Sequence, residues 1–110
     1  MELSAKKEQK CMVIDITGRM DAVSSPAFEK ETAVWIEQGE TMLVVDCSNL
    51  EYISSSGLRS ILTVAKKLRA VNGKILLASL RSVVKEVFEI SGFSAIIPIY
   101  DSLEDAMADL

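Results

Sequence analysis

Residues 51 to 60, EYISSSGLRS, place three consecutive serines and a glycine between an apolar run and a segment with helical spacing. A serine hydroxyl has two chemical uses. It attacks an electrophile once a neighbouring base activates it, or it accepts a group delivered by another enzyme. The 110-residue chain contains no histidine, which excludes Ser-His and Cys-His pairs, His-ligated zinc and phosphohistidine transfer within it. No Ser-x-x-Lys arrangement or paired carboxylate occurs at the turn, and SSSGLRS lacks the G-x-x-x-x-G-K-[ST] spacing of a phosphate-cradling loop. The serines therefore read as a substrate of another enzyme. The chain itself is expected to be no enzyme, to hold no metal and to need no cofactor.

The register of the turn follows from helix capping. With Ser54 as N-cap, Ile53 precedes the cap and Leu58 becomes the fourth helical residue, the pair that packs together in a hydrophobic staple. Ser55 then occupies the first helical position, points outward and has no capping role. Ser56 follows, and Gly57 allows close approach to the first turn. Capping accounts for one serine of the three. It leaves unexplained an exposed Ser55 beside a glycine at the end of a buried strand, the edge of an α/β sheet where ligands and partners dock.

The rest of the chain limits what such a site can serve. Its length suits one domain over residues 1–110. With 49% apolar and 25% charged residues, the composition is that of a folded globular domain. A net charge of −4 and few aromatic residues argue against a nucleic-acid partner, whose binding surfaces are basic. Apolar runs such as MLVV and ILLA fall far short of the roughly 20 residues that span a bilayer. MELSAKKEQK carries no apolar leader core, so no membrane insertion and a cytoplasmic location are expected. Cys11 and Cys47 lie in apolar strand-like runs without nearby ligand partners and read as buried thiols.

The elements that must position the turn can be read from periodicity. CMVIDITGRMD alternates, with Met12, Ile14 and Ile16 on one side, as in a half-buried strand ending at Gly18, and residues 2 to 6 read as a weaker strand before it. In SSPAFEKETAVWIEQGE, Ser25 is the expected cap and Pro26 the first helical residue; Ala27, Phe28, Val34, Trp35 and Ile36 form the inner face, and Gly39 is the stop. TMLVVDC and GKILLAS are continuous apolar runs suited to strands buried on both faces of a parallel sheet. Between them, Leu58, Ile61, Leu62, Ala65 and Leu68 predict an amphipathic helix, completing a strand–helix–strand crossover. A further helix is predicted from Val83, Val84, Val87, Phe88 and Ile90, then a short edge strand in AIIPIY, whose Pro98 confines it to the sheet margin. Ser102 is expected to cap a last helix with Glu104 and Asp105 in its first turn. The order predicts an α/β domain with a mixed sheet.

GRMDA, LVVDCSNLEYISSSGLRSILTVAKKL and GKILLASLRSVVKEVFEISGF, in this order, resemble the STAS domain as found in bacterial anti-sigma factor antagonists. The resemblance runs from Cys11 to the C-terminus. Its most specific part is an apolar strand, an aspartate, a variable loop and then D-S-x-G opening a helix. It implies a mixed sheet of about four or five strands with about four helices, packed mainly on one side. It also implies partner switching: the unmodified protein binds an anti-sigma factor that is itself a serine kinase, phosphorylation of the D-S-x-G serine ends the binding, and a PP2C-like phosphatase restores it. Carried over, the phosphoacceptor is Ser55, with Ser54 and Ser56 as lesser candidates. The implied partner surface is Asp21, Ser54, Ser55, Ser56, Gly57, Leu58 and Arg59, with Asp21 the acidic position beside the site. At Ser54 this chain departs from the family aspartate, keeping the cap and losing a charge.

The same family includes accessory subunits of ABC-type lipid transporters and scaffolds in stress-signalling or chemotaxis-like assemblies, so the resemblance leaves docking without phospho-switching as the alternative. Arg59, Lys66, Lys67 and Arg69 on the central helix read either as an extension of the docking face or as a solvated surface.

Overall fold

The computed structural model describes residues 1–110. Alternating apolar residues make β2 (Cys11–Met20) the spine of the sheet. Ile14 and Ile16 enter the larger core on one face, and Cys11 and Val13 enter a smaller one on the other. β1 (Glu2–Glu8) returns antiparallel along one side of β2. On the other side, β3 (Met42–Asp46), β5 (Lys74–Ala78) and the two-residue β6 (Ile99–Tyr100) follow in parallel, giving the order β1-β2-β3-β5-β6.

The continuous apolar runs of β3 and β5 have the expected cause. Leu43, Val45, Ile75 and Leu77 face the larger core, while Val44, Leu76 and Ala78 face the smaller. Helices α1 (Ser25–Glu37), α2 (Ser55–Ala70) and α3 (Ser82–Ile90) cover the larger core with Phe28, Ile61, Leu68, Val84 and Phe88, and α4 (Leu103–Ala108) covers the smaller through Ala106. Each large side chain buried in this way stabilises the fold by about 2 kcal/mol before entropy is counted. Three helices lie on one face and one on the other, the arrangement implied by the resemblance.

The sheet has one strand more than the four or five expected. β4 (Leu50–Ile53) pairs in parallel with the end of β2, beyond the point where β3 stops, with Met20 opposite Ile53 and an irregularity between Gly18 and Arg19. Its burial pattern, inner residues at both ends and exposed Glu51 and Tyr52 between, breaks the two-residue period that marks a strand in sequence. Glu51 therefore belongs to a strand.

Three helical boundaries and faces also differ from expectation. α1 begins at Ser25, one residue early: Ser24 stands at the N-cap position without a side-chain capping bond, and the buried Ser25 donates its hydroxyl to the Asp21 carbonyl. Its inner face runs through Phe28 and Thr32 to the partly buried Trp35 and Ile36, and Ala27 and Val34 face outward. Thr32 is admitted to the core because its hydroxyl donates to the Phe28 carbonyl at 2.8 Å. In α3, Val84 and Phe88 are buried, whereas Val83 and Ile90 are 67% and 80% exposed. The AIIPIY strand shrinks to Ile99 and Tyr100, since Pro98 has no N–H to pair and Phe93–Ala95 coil into a single 3₁₀ turn.

Candidate functional site

Two chain segments converge at the carboxyl end of β2 and β4. The Ser54 N–H donates to the Met20 carbonyl at 2.9 Å, extending the pairing by one step past Met20 and Ile53. Asp21 follows one strand and Ser55 the other, so the acidic position and the candidate acceptor leave the sheet side by side.

Ser54 caps α2 as expected: its backbone is extended and its hydroxyl accepts from the Gly57 N–H at 3.2 Å. Ile53 and Leu58, the staple pair, both belong to the larger core. With the capping role filled, Ser55 stands in the first turn with an exposed side chain. Ser56 is half-buried, and its hydroxyl lies 3.4 Å from a guanidinium nitrogen of the exposed Arg59. Gly57 and Leu58 are buried, so of the seven expected surface residues these two act beneath the surface, holding the others in place.

The close approach that Gly57 permits is internal. A Cβ at this position would lie 2.6 Å from the Ile53 side chain and 2.8 Å from the Met20 carbonyl oxygen. The glycine thus lets α2 settle onto the end of β2, which is what brings the serines next to Asp21.

Asp21 is committed to its own turn. One carboxylate oxygen accepts from the Val23 and Ser24 N–H groups, both at 3.1 Å, and contacts the Ser24 hydroxyl at 3.1 Å. The Ser24 hydroxyl in turn accepts from the Asp21 N–H at 2.9 Å. These bonds, led by those from Ser24, hold the carboxyl below the usual aspartate range, so it is ionised at neutral pH.

Sequence reasoning passed over three neighbours of the site. Arg19 lies over the Tyr52 ring at 4.1 Å, a cation–π contact between residues paired across β2 and β4. The buried Ser60 donates to Glu29 at 2.6 Å, tying α2 to α1 beside a shallow notch of about 350 Å³ that Pro26, Ser56, Arg59 and Thr63 help to line. Val23 stands 90% exposed on the Asp21 turn. The residue types were visible in sequence, but only strand register brings them to one place. Lys66, Lys67 and Arg69 lie exposed further along α2.

The two thiols are buried and unpaired, one in each core. Burial, reinforced by the Asp46 charge, pushes the Cys47 thiol up to about 12, which makes it inert at neutral pH. No group of histidine, cysteine, aspartate or glutamate side chains is placed to hold a metal ion, and no helix is long and apolar enough to cross a membrane.

An exposed serine on a capped helix start, beside an ionised aspartate on a neighbouring turn, sits on a fold shared with solved proteins. The chain superimposes on an anti-sigma factor antagonist of Thermotoga maritima with a TM-score of 0.92, at 20% identity over 97% of this chain and 92% of that one. It matches the phosphorylated form of the Bacillus cell-fate determinant SpoIIAA with a TM-score of 0.76, at 22% identity over 98% of each chain. The STAS domain model matches residues 2–106, and the chain belongs to that family. Its curated relatives there are named as anti-sigma factor antagonists. BtrV of Bordetella bronchiseptica is 41% identical over 98% of this chain and 93% of its own length, and the anti-sigma-B factor antagonist of Listeria monocytogenes is 30% identical over 84% and 83%.

Proposed function

We propose that this protein is a partner-switching regulator: unmodified, it binds an anti-sigma factor with serine kinase activity and releases a sigma factor, and phosphorylation of Ser55 ends that binding. A PP2C-like phosphatase resets it. The observation that carries the reading is the division of labour at the turn, where Ser54 caps α2 and leaves Ser55 exposed and free to accept a phosphate. The names of the curated relatives support an anti-sigma factor as partner, and the solved forms of SpoIIAA, phosphorylated and unphosphorylated, support a fold that tolerates the modification.

The physical basis of the switch is differential. A phosphate adds a charge of about −1.5 to −2 at the N-terminus of α2, where the helix dipole and solvent accommodate it in the free protein. Within an interface the same charge is desolvated and faces Asp21, which is already ionised. A loss of about 3 kcal/mol weakens binding by about two orders of magnitude. The kinase supplies magnesium, ATP and base; the terminal phosphoryl group passes to the Ser55 oxygen, the hydroxyl proton goes to the kinase base and ADP leaves.

The test is calorimetric titration of the serine-kinase anti-sigma factor from the same organism with the unmodified chain, the chain phosphorylated at Ser55, and Ser55→Ala. Tight binding by the first and third, with loss in the second, is the expected result. Equal binding by all three would leave a docking subunit without a phospho-switch.

A further inference from the structure

The start of α2 carries an arginine without an ion-pair partner. Arg59 is exposed, and one guanidinium nitrogen lies 3.4 Å from the Ser56 hydroxyl, a long contact that leaves its other N–H groups unclaimed. Helical side chains lean toward the N-terminus, so this arginine is already turned back over the serine turn. It takes no part in the ion pairs of the structure, which are Lys6–Glu8, Lys7–Glu40 and Lys85–Asp101. Glu29, the acidic residue that lines the same notch between α1 and α2, accepts from Ser60 instead. Ser55 lies four residues before Arg59. At that spacing side chains meet on a helix surface, and an anion placed before a cation is the favourable order.

We propose that Arg59 is the internal receiver of a phosphate on Ser55: after phosphorylation its guanidinium leaves the Ser56 hydroxyl and closes on the phosphate oxygens, holding the modified turn in its off state. The inference rests on the partner-switching reading above and deepens it by giving the modified form a contact of its own. A phosphate at Ser55 stands beside the ionised Asp21 and needs a counter-charge. Arg19 is engaged over the Tyr52 ring. Lys66, the next cation of α2, lies about 16 Å further along the helix axis, beyond the screening length of about 8 Å. Arg59 is the one cation of α2 within a helical turn of Ser55. Its planar donors match phosphate oxygens two at a time, a geometry that an ammonium group lacks. One event thus adds a negative charge to the expected partner surface and draws a positive one away from it.

The experiment uses the full chain with phosphoserine installed at Ser55 during translation, so that neither kinase nor partner is needed, and compares it with the same protein carrying Arg59→Gln or Arg69→Gln. Phosphorus NMR follows the second ionisation of the phosphate, near about pH 6. The parent is expected to ionise about half a pH unit lower than Arg59→Gln, with the gap closing in about 1 M salt. Arg69→Gln removes the same charge from the far end of α2 and is expected to ionise as the parent does. Phosphorylation should also raise the thermal midpoint by about 3 °C more in the parent than in Arg59→Gln at about pH 7.5. That gain belongs to the doubly charged phosphate, so it is lost as pH falls through the lowered ionisation. Without phosphate, the parent and Arg59→Gln should melt together, because the Ser56 contact is long and exposed. Equal ionisation in the parent and Arg59→Gln overturns the proposal and leaves the phosphate to solvent and the helix dipole. An equal shift in Arg69→Gln overturns it as well, since net charge and not a contact would be the cause. Failure here leaves the partner-switching reading standing, and failure of the calorimetric titration above leaves this contact measurable, so the two are distinguishable.

Discussion

The Ser54 N–H and the Met20 carbonyl oxygen are 2.9 Å apart, and through that hydrogen bond the serine turn is fixed to the end of the central strand. The hydroxyl of the same serine accepts from the Gly57 N–H at the start of α2. Ser54 is thus bound to the sheet through its backbone and to the helix through its side chain, while Ser55 remains outside both networks.

Removing the cap should therefore cost stability without touching Ser55. Ser54→Ala is expected to lose about 1 kcal/mol, lowering the melting temperature by about 4 °C. Ser54→Asp, which restores the family residue, should cap equally well and gain from the helix dipole, so its melting temperature should equal or exceed that of the parent. Scanning calorimetry of the three proteins decides this; an alanine variant as stable as the parent would remove Ser54 from its role.

Gly57→Ala reverses the usual sign of a helical substitution. Replacing glycine inside a helix normally stabilises by up to about 1 kcal/mol. Here the new methyl would meet Ile53 at 2.6 Å and the Met20 oxygen at 2.8 Å, so a net loss of about 2 kcal/mol is expected from chemical denaturation. A stabilised variant would mean that α2 shifts freely on β2.

Asp15 gives a pH-dependent prediction. Burial, and then the neighbouring Asp46 charge across β2 and β3, raise its carboxyl above the ordinary value of 3.8. The folded state therefore holds this proton more tightly than the unfolded state. Stability from this group is full below pH 3.8 and declines as pH rises through the raised value. Asp15→Asn should accordingly melt higher than the parent at neutral pH, with the gap closing below pH 3.8. A constant gap at all pH values would point to packing instead of charge.

Cys47, pushed up to about 12, should resist alkylation in the native protein at pH 8, where the thiolate fraction is about 10⁻⁴. It should react fully in denaturant. Rapid native labelling, followed by mass, would mean that the end of β3 opens readily.

These relationships also explain what was legible in the sequence and what was not. Ser54, Ile53 and Leu58 lie within one turn of each other, and a cap with its staple is a local pattern, so α2 and the exposure of Ser55 could be read directly. The buried strands β3 and β5 announced themselves by uninterrupted apolar runs. β4 did not, because Leu50, Tyr52 and Ile53 are held by an irregular pairing with β2 and not by a period of their own. The reason for Gly57 was hidden for the same cause: its contact, the Met20 carbonyl, comes from a distant segment. The start of α1 was read one residue late, since Pro26 marked a first helical position that Ser25 already holds. Val83 and Ile90 share the helical spacing that predicted α3 yet lie exposed, because an apolar residue at helical spacing does not reveal which stripe meets the sheet.

The central claim, that Ser55 is the switch, is tested most directly by peptide mass spectrometry of the protein recovered from its native cells across growth and stress conditions, with Ser55→Ala as control. The account predicts a fraction of chains carrying one phosphate, mapped to Ser55 and absent from the variant. Phosphate confined to Ser54 or Ser56, or none under any condition, would contradict it.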